Sequence, residues 1–531
     1  MDHRTVAYAL GRLTSLMGLV MLAPTFLAMW DHRRENPYLN GEVLAFGATV
    51  ILCLLLGRSL VRWADSDELD PGIREGFAIV TFGWIGLALL GCLPLFAWFV
   101  QAEGGGRGGE IFAAFTDAYF EIMSGFTTTG ATILFDVEAL PRSMLLWRSL
   151  THWLGGMGII TLALAVFPAI GVGGYQMFRG EVPGPTTERL RPRLAETAKI
   201  LWGVYAVLTL TEAVLLSVAG MDLFDAVNHS FSTLATGGFS TRNGSIGAYE
   251  SATIEWIVIV FMFLAGTNFL LHYRALFFRD FRGILENREF HVYLTIIVLA
   301  SGIIGGTLMY GGVSSAEAVA GSWQVSPLGA ADLDQHLSQE GARFVGVEET
   351  VRTALFQTLA IATGTGFGTA DFDVWPRTLG FLLVLLMFGG ACAGSTAGGI
   401  KLYRIILLWK VLVRDLRKSI RPHLVAPLKV RNQVVDESVA AHAVGFILLF
   451  MLILGAATLV MTLFVDDLTT ATTSVIATLA NIGPGLAGVG STQCYGWMPI
   501  GAKWVLSLCM LLGRLEIYTV LALVSRSFWT R

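Results

Sequence analysis

The sequence predicts an all-α polytopic membrane protein with about ten transmembrane helices and four pseudo-symmetric helix–pore loop–helix repeats around one pore. Composition is the first reason: 54% of the 531 residues are hydrophobic and only 14% are charged, whereas about a quarter of an average soluble domain is charged. The second reason is a set of ten apolar runs long enough to cross a bilayer. The third is a sequence pattern that recurs in four shorter apolar stretches.

The ten long apolar runs are the predicted transmembrane helices, because about 20 helical residues cross the hydrocarbon core of a bilayer. No cleavable signal peptide is predicted, since the first run is long enough to span the membrane by itself. The five cysteines lie mostly inside apolar runs without metal-binding spacing, which predicts small buried side chains. The runs cover residues 8–30, 43–60, 77–99, 144–170, 198–219, 253–273, 291–310, 378–400, 439–464 and 503–525.

Basic residues predict the orientation of these helices. The segments after the fourth, sixth and eighth runs are rich in lysine and arginine, whereas the loop at 311–377 is acidic. The positive-inside rule therefore places both termini in the cytoplasm and the four shorter apolar stretches on the outer side. Arg33 and Arg34 are an exception, because this assignment places them on the outer side. They are outnumbered by the basic residues predicted to be cytoplasmic, which include Arg179, Arg189, Arg274, Arg279, Lys401, Arg404, Lys410, Arg414, Arg417 and Lys418.

The four shorter stretches form an internal repeat. They lie near 111–126, 223–235, 351–363 and 468–483, each between two full spans. When they are aligned on one glycine each, alanine stands twelve positions earlier in all four, and a polar residue stands nine positions earlier. The pattern predicts a helix of about three turns followed by a glycine-rich segment (TTTGAT, ATGGFS, TGTGFG and ANIGPG). The anchor glycines are Gly130, Gly238, Gly366 and Gly483, and the predicted N-caps are Asp117, Asp225, Thr353 and Thr470.

The glycine-rich segments are the predicted ion-binding site. Irregular backbone at membrane depth survives only where it is buried in protein or lines a cavity, and glycine lets backbones approach closely. Four converging segments can present a ring of carbonyl oxygens that replaces the hydration shell of K⁺, with the negative helix ends aimed at the ion. The predicted filter residues are Thr128, Thr129, Gly130, Thr236, Gly237, Gly238, Gly364, Thr365, Gly366, Asn481, Ile482 and Gly483.

The repeat divides the chain into five predicted parts. Two extra N-terminal transmembrane helices occupy residues 1–70. Repeats 1 and 2 occupy 71–185 and 186–285, each with a pore loop. Repeat 3 occupies 286–433 and contains the long outer loop, a pore loop and an intramembrane gate loop, and repeat 4 occupies 434–531.

A glycine-rich stretch in the eighth run, GGACAGSTAGG, predicts a break in the helix. Each glycine there costs about 1 kcal/mol relative to alanine in a helix interior. One interpretation is close helix packing through small residues. The other is a flexible loop under the filter that gates ion passage, with Lys401 near the cytoplasmic mouth. The predicted gate residues in this stretch are Gly389, Gly390, Gly394, Ser395, Thr396, Gly398 and Gly399.

Arg514 lies midway through the tenth run, where an arginine is costly and usually faces the protein interior. Snorkelling to the interface is the alternative, which the central position makes difficult. We predict that Arg514 projects into the conduction path below the filter and opposes a cation, forming a gate with the glycine-rich stretch. Glu121 and His229 are predicted to form packing or hydrogen-bonding groups behind the filter, and His152 is predicted to be interfacial.

The motifs SGFTTTGAT, LATGGFSTRNGSIG, TGTGFGTADF and NIGPGLAGVG together resemble the Trk/Ktr/HKT family of potassium transporters, most closely its TrkH-type subunits. The resemblance covers almost the whole chain. It implies a pseudo-fourfold pore within one protomer, a homodimer in the lipid of the bacterial inner membrane, and regulation by a cytosolic nucleotide-binding ring (TrkA-like). The chain departs from the family at Gly364, where threonine is more usual, and unequal walls predict a less selective filter.

The predicted function is therefore potassium uptake through a backbone-carbonyl selectivity filter, with K⁺ in the filter and no covalently bound cofactor. A symporter that couples K⁺ to H⁺ or Na⁺ is the alternative, because broken helices near the midplane are typical of secondary transporters. An enzyme is not expected, since the spans contain no HExxH or GxSxG motif and no catalytic aspartate pair. No nucleic-acid partner is expected. The basic 401–431 segment is either a cytoplasmic anchor or a docking surface for the regulator.

Overall fold

A computed structural model describes residues 1–33, 40–64, 72–102, 108–165, 190–310, 346–423, 426–430 and 433–530. Several features predicted from the sequence lie outside these residues. They are the boundaries at 70/71 and 185/186, Arg34, Arg179, Arg189, the end of the fourth apolar run and most of the acidic outer loop. The predicted division into five parts stays a prediction.

The described residues are predominantly α-helical, which confirms the predicted all-α class. Two strands of two residues each, Lys429–Val430 and Gln433–Val434, pair in an antiparallel hairpin. The helices, in chain order, are α1 (His3–Val20), α2 (Leu22–Asp31), α3 (Gly41–Ala64), α4 (Ile73–Gly91), α5 (Leu93–Ala102), α6 (Gly108–Phe126), α7 (Arg142–Ala165), α8 (Leu190–Val218), α9 (Leu223–Leu234), α10 (Ala252–Ala265), α11 (Phe269–Phe278), α12 (Arg282–Leu285), α13 (Arg288–Tyr310), α14 (Val347–Ala362), α15 (Arg377–Phe388), α16 (Leu402–Ile420), α17 (Glu437–Met461), α18 (Leu468–Leu479), α19 (Ile500–Arg514), α20 (Tyr518–Val524) and α21 (Arg526–Trp529).

Six of the described helical segments are long and apolar enough to cross a membrane, and the number rises to eight if two bent helix pairs each count as one span. The bent pairs are α10 with α11, at 102°, and α19 with α20, at 115°. Two further predicted spans fall on α7, which has a polar first half, and on α15, which covers only the first half of the eighth run. The chain is therefore a multi-pass membrane protein.

Three of the ten predicted spans are interrupted. The break predicted in the eighth run is present, because α15 ends at Phe388 and α16 begins at Leu402. For the sixth and tenth runs the prediction of one uninterrupted helix is wrong. Asn268 caps α11 by accepting a hydrogen bond from the Leu270 amide at 2.9 Å, which starts a new helix. After α19, Ile517 takes a φ of 52°, an outlier for a β-branched residue.

Four helices, α6, α9, α14 and α18, correspond to the repeated short stretches and are called the pore helices. The predicted N-caps are wrong at all four. Asp222 caps α9 and Asp467 caps α18, in each case three residues before the predicted position. Asp225 lies inside the first turn of α9, where it instead accepts hydrogen bonds from Thr241 and Tyr249 at 2.8 Å each. Helices α6 and α14 begin well before their predicted caps, so the pore helices range from 12 to 19 residues.

Small residues hold neighbouring helices against the ends of the pore helices. A Cβ placed on Gly155 of α7 would lie 2.1 Å from the Phe126 carbonyl oxygen, and one on Gly513 of α19 would lie 1.9 Å from the Leu479 carbonyl oxygen. Only glycine permits such an approach, as at the contacts between helices in membranes generally. The last turns of α6 and α18 are thereby fixed where the glycine-rich segments begin.

Candidate ion-conduction site

The four glycine-rich segments, which we call filter segments 1 to 4 (residues 127–132, 235–240, 363–368 and 480–485), share one backbone conformation. Each has a positive φ at two positions, the anchor glycine and the residue two before it. This region is costly for residues other than glycine, with asparagine the most tolerant. The φ values are 50° and 77° at Thr128 and Gly130, 55° and 83° at Thr236 and Gly238, 74° and 74° at Gly364 and Gly366, and 54° and 97° at Asn481 and Gly483.

The segments form a closed ring in which each anchor glycine packs against a carbonyl of the next segment. A Cβ placed on the glycine would lie closer to that oxygen than real Cβ atoms lie to any neighbour. A side chain therefore cannot be accommodated without displacing the neighbouring segment. The contacts run from Gly130 to the Gly237 oxygen (2.0 Å), from Gly238 to Thr365 (2.0 Å), from Gly366 to Ile482 (2.0 Å) and from Gly483 back to Thr129 (2.7 Å).

All four anchor glycines line a single cavity of about 100 Å³. The structure thus brings the twelve predicted filter residues together in one ring, although they lie as much as 355 residues apart in the sequence (483 − 128). The pore helices end immediately before the filter segments, so their partially negative C-terminal ends lie beside the ring. Whether these residues bind K⁺ stays a prediction.

Three of the four side chains nine positions before the anchor glycines support the backs of the filter segments. Glu121 Oε2 accepts hydrogen bonds from the Ile133 amide at 2.9 Å and from the Thr132 hydroxyl at 3.1 Å. The His229 Nε2 atom lies 2.9 Å from the Ser240 hydroxyl. The prediction of hydrogen-bonding groups behind the filter is confirmed for both. Gln357 makes equivalent contacts to residues 369 and 370, whereas Ser474 bonds only within its own helix.

Arg148, which the sequence reasoning missed, ties filter segment 1 to filter segment 2. Its guanidinium lies 2.8 Å from the Glu121 carboxylate, and both side chains are at most 2% exposed. It also donates to the Ser240 carbonyl at 3.3 Å and lies 4.1 Å from the centre of the Phe239 ring. An arginine inside an apolar run was the available signal, because such residues face partners rather than lipid.

We expect Glu121→Gln to destabilise the protein strongly. The glutamine leaves the Arg148 charge buried without its partner, and breaking a buried ion pair typically costs about 3–5 kcal/mol. Thermal unfolding of the purified protein in detergent measures this. Glu138→Gln is the matched control, since Glu138 pairs with Arg242 at 3.6 Å while both are nearly half exposed, and exposed pairs contribute about 0–1 kcal/mol. Equal losses of thermal stability in the two variants would contradict a structural role for the buried Glu121–Arg148 pair.

The four filter segments that form the ring differ in their hydrogen bonds. In three segments, the amides of Thr129, Gly237 and Ile482 donate to the carbonyl five residues earlier. In segment 3 it is Gly366 that donates, to Ala360 six residues earlier. The side-chain Nδ2 of Asn481, which has no counterpart in the other segments, joins segment 4 to segment 1 by donating to the Thr129 hydroxyl at 2.9 Å.

The glycine-rich stretch of the eighth run forms a loop (389–401), which we call the gate loop, against the ends of two pore helices. The Gly390 amide donates to the Ile400 carbonyl at 2.9 Å, which joins the two limbs of the loop. Near its tip, the Thr396 hydroxyl donates to the carbonyl of Leu234, the last residue of α9, at 2.9 Å. A Cβ on Gly398 would lie 2.4 Å from the carbonyl oxygen of Ala480, directly after α18. The alternative of a helix packed through small residues is wrong for this stretch.

Arg514 joins the gate loop to the first repeat. Its two terminal nitrogens donate to the carbonyls of Thr396 and Gly155, each at 2.9 Å, and the side chain is 2% exposed. The structure therefore places Arg514 beside the predicted gate residues, on the side of the ring where the pore helices end. Snorkelling to the interface is excluded by these contacts. Glu516, in the break after α19, instead pairs with Arg404.

The prediction that His152 is interfacial is wrong. The side chain is fully buried, its ring stacks on Phe239 at 4.1 Å, and Nδ1 lies 3.3 Å from the Ser232 hydroxyl. A Cβ on Gly237 would lie 2.4 Å from the ring. The first half of α7 is polar because it packs on filter segment 2 rather than on lipid or water.

These features define a class of protein: a multi-pass membrane transport protein whose pore is built from four repeats of one chain. Comparison with known proteins gives the family. Residues 44–530 match the model of the TrkH family, described as a cation transport protein. The chain belongs to this family, which confirms the predicted resemblance.

Full-length relatives are similar to the chain along its whole length. The Trk system potassium uptake protein TrkH of Escherichia coli K12 is 36% identical over 532 residues, and the protein of the same name from Halomonas elongata is 37% identical over 538, with all of both chains covered in each case. The crystal structure of the potassium transporter TrkH from Vibrio parahaemolyticus superposes with a TM-score of 0.82 at 34% identity, again covering all of both chains. These relatives are named for transport, which confirms the prediction that the chain is not an enzyme.

Proposed function

We propose that the chain takes up potassium through the ring formed by the four filter segments. The observation that carries the proposal is the closed ring: four anchor glycines, each packed on the next segment, line one cavity. The names of the relatives, potassium uptake protein and potassium transporter, support K⁺ as the ion. Among the described residues, no group of three or more His, Cys, Asp and Glu side chains could hold a metal ion, which agrees with carbonyl ligands.

Backbone carbonyls, rather than side chains, hold the ion in this proposal. The Thr127 and Thr129 hydroxyls lie 2.8 Å from each other, and those of Thr363 and Thr365 lie 2.7 Å apart. Each of these four hydroxyls therefore already has a hydrogen-bond partner within the protein. The carbonyl oxygens of the filter segments replace the hydration shell of K⁺, and the pore-helix ends stabilise its charge.

The gate loop and Arg514 close this pathway in the proposed mechanism. The loop packs against the ends of α9 and α18, and Arg514 fixes its Thr396 carbonyl to α7. A fixed positive charge at this depth repels a cation strongly, because Coulomb interactions are little screened away from water. Opening requires the loop to leave the helix ends and the arginine to release its two carbonyls.

Partners and location extend the proposal. The Trk system naming of the relatives supports association with other Trk components, and we propose that a cytosolic nucleotide-binding ring (TrkA-like) moves the gate. The basic helix α16, with Arg414, Arg417 and Lys418, offers a docking surface on the side proposed to be cytoplasmic. A homodimer in the bacterial inner membrane, with both termini in the cytoplasm, completes the proposal.

Current measured in proteoliposomes of the purified protein tests the function. We expect the current to reverse at the K⁺ Nernst potential whatever the H⁺ and Na⁺ gradients. Net K⁺ movement against its own electrochemical gradient, driven by an H⁺ or Na⁺ gradient, cannot come from Na⁺ passing through a less selective filter and would instead establish the second candidate, a symporter. The bends of 102° and 115° in two spans favour that candidate, since discontinuous helices bind coupling ions in secondary transporters.

A further inference from the structure

A buried carboxylate bonds both the interior of the gate loop and the start of the helix that follows the loop. Glu289 lies in the first turn of α13 and is 4% exposed. Its Oε1 atom accepts a hydrogen bond from the Ala393 amide, inside the gate loop, at 2.8 Å. The same oxygen accepts from the Tyr403 amide, just after the loop, at 3.0 Å. One atom of the first span of repeat 3 therefore joins the interior of the loop to the start of α16.

Both amides need this acceptor. Tyr403 lies in the first turn of α16, where the backbone N–H groups have no partner inside the helix. Lys401, at the N-cap position, carries no side-chain acceptor, so Glu289 acts as the cap from another helix. A carboxylate at this position also interacts favourably with the positive end of the helix dipole. A buried amide left without an acceptor costs free energy.

The carboxylate is itself held in place. Asn287 caps the start of α13 by accepting from the Phe290 amide at 3.1 Å, which fixes the turn that carries Glu289. On the loop side, the Cys392 amide donates to the Gly266 carbonyl at 3.0 Å, and the Phe269 amide donates to the Gly394 carbonyl at 3.1 Å. The loop is thus bonded to the second repeat on either side of Ala393. Glu289 bonds it to α13, the first span of the loop's own repeat.

We propose that Glu289 is the latch of the gate, a positioning residue that keeps the gate loop closed by bonding the Ala393 amide inside the loop and the Tyr403 amide just after it. The proposal rests on the function of the gate loop proposed above. Loss of the Glu289 acceptor frees Ala393 and the start of α16, so the loop leaves the pore-helix ends more often. Arg514 acts on the Thr396 carbonyl near the tip of the loop, whereas Glu289 acts on Ala393 and on the start of the helix that follows the loop.

Three variants test the latch in full-length protein in proteoliposomes. Glu289→Ala removes the acceptor, and we expect basal K⁺ flux to rise about tenfold as the closed state loses two hydrogen bonds. Glu289→Gln keeps an oxygen that can accept from both amides, so we expect flux close to that of the parent. Glu286→Ala, on an exposed side chain one turn earlier, is the matched control and should leave flux unchanged.

A second measurement reads the loop directly. The Cys392 thiol, next to Ala393, is 1% exposed, and its rate of maleimide labelling, followed by peptide mass spectrometry, reports loop release. We expect faster labelling of Cys392 in Glu289→Ala and an unchanged rate in Glu289→Gln. An unchanged rate in Glu289→Ala would overturn the latch.

Arg514→Ala, measured in parallel, separates failure of the latch from failure of the gate. Raised flux in Arg514→Ala with parental flux in Glu289→Ala would also overturn the latch. Faster labelling of Cys392 in Glu289→Ala without raised flux in either variant would support the latch and refute the gate function of the loop.

Discussion

Replacing Arg514 with alanine is expected to raise basal K⁺ flux by about tenfold or more. The side chain donates to the Thr396 and Gly155 carbonyls, each at 2.9 Å, and is almost fully buried. Hydrogen bonds from a charged group are worth about 1.5–3 kcal/mol each, and about 1.4 kcal/mol changes an equilibrium tenfold. The substitution removes both bonds and also the charge that is proposed to oppose a cation. Flux of K⁺ into proteoliposomes, without any regulator, measures the effect.

Two further variants make the Arg514 result specific. Arg526→Ala removes an exposed arginine near the C-terminal end of the chain and should leave flux unchanged. Arg514→Lys keeps a positive charge but loses the planar fork that reaches two carbonyls, so intermediate flux is expected. Unchanged flux in Arg514→Ala, for protein that elutes as the parent does in size-exclusion chromatography, would refute the role of Arg514 in the gate.

Replacing Gly238 with serine is expected to lower the K⁺/Na⁺ permeability ratio about tenfold, since a shift of about 1.4 kcal/mol between the two ions suffices. A Cβ there would lie 2.0 Å from the Thr365 carbonyl oxygen, and the φ of 83° is unfavourable for any L side chain. Filter segments 2 and 3 must move apart, which enlarges the ring and weakens its fit to dehydrated K⁺. Reversal potentials under mixed K⁺ and Na⁺ gradients give the ratio.

Gly220→Ser is the matched control for the filter. Gly220 has a φ of 102°, so serine introduces a comparable backbone strain, but nothing lies within 4 Å of the added Cβ. We expect reduced stability and an unaltered permeability ratio. A ratio that is also unaltered in Gly238→Ser would show that the anchor glycines were wrongly assigned.

Sequence periodicity was sufficient to predict the ring because its requirements are local and strict. An added Cβ would lie 2.0 Å from a neighbouring carbonyl oxygen at Gly130, Gly238 and Gly366, so no other residue fits there. The polar residue nine positions earlier supports the back of the segment in three of the four repeats, which made the pattern visible. Because the same contact occurs in several repeats of one chain, the residues that it requires recur at the same spacing and can be recognised by aligning the repeats.

Some of the features that the sequence did not predict depend on contacts between repeats. Arg148 and His152 are polar because α7 faces filter segment 2, and nothing in the α7 sequence identifies that neighbour. The break after Arg514 includes Ile517 at a φ of 52°, against the local preference of isoleucine. The earlier helix starts at Asp222 and Asp467 were missed because the repeat alignment placed polar residues at two plausible cap positions.

The four filter segments of the ring belong to one chain, so each segment is encoded by its own codons. In a pore of identical subunits, one base change alters every wall at once, whereas here it alters a quarter of the ring. Asn481 in segment 4 and Gly364 in segment 3 occupy the place that threonine fills in the other two. Under the proposed function, a single chain can therefore change its selectivity in small steps, one filter segment at a time.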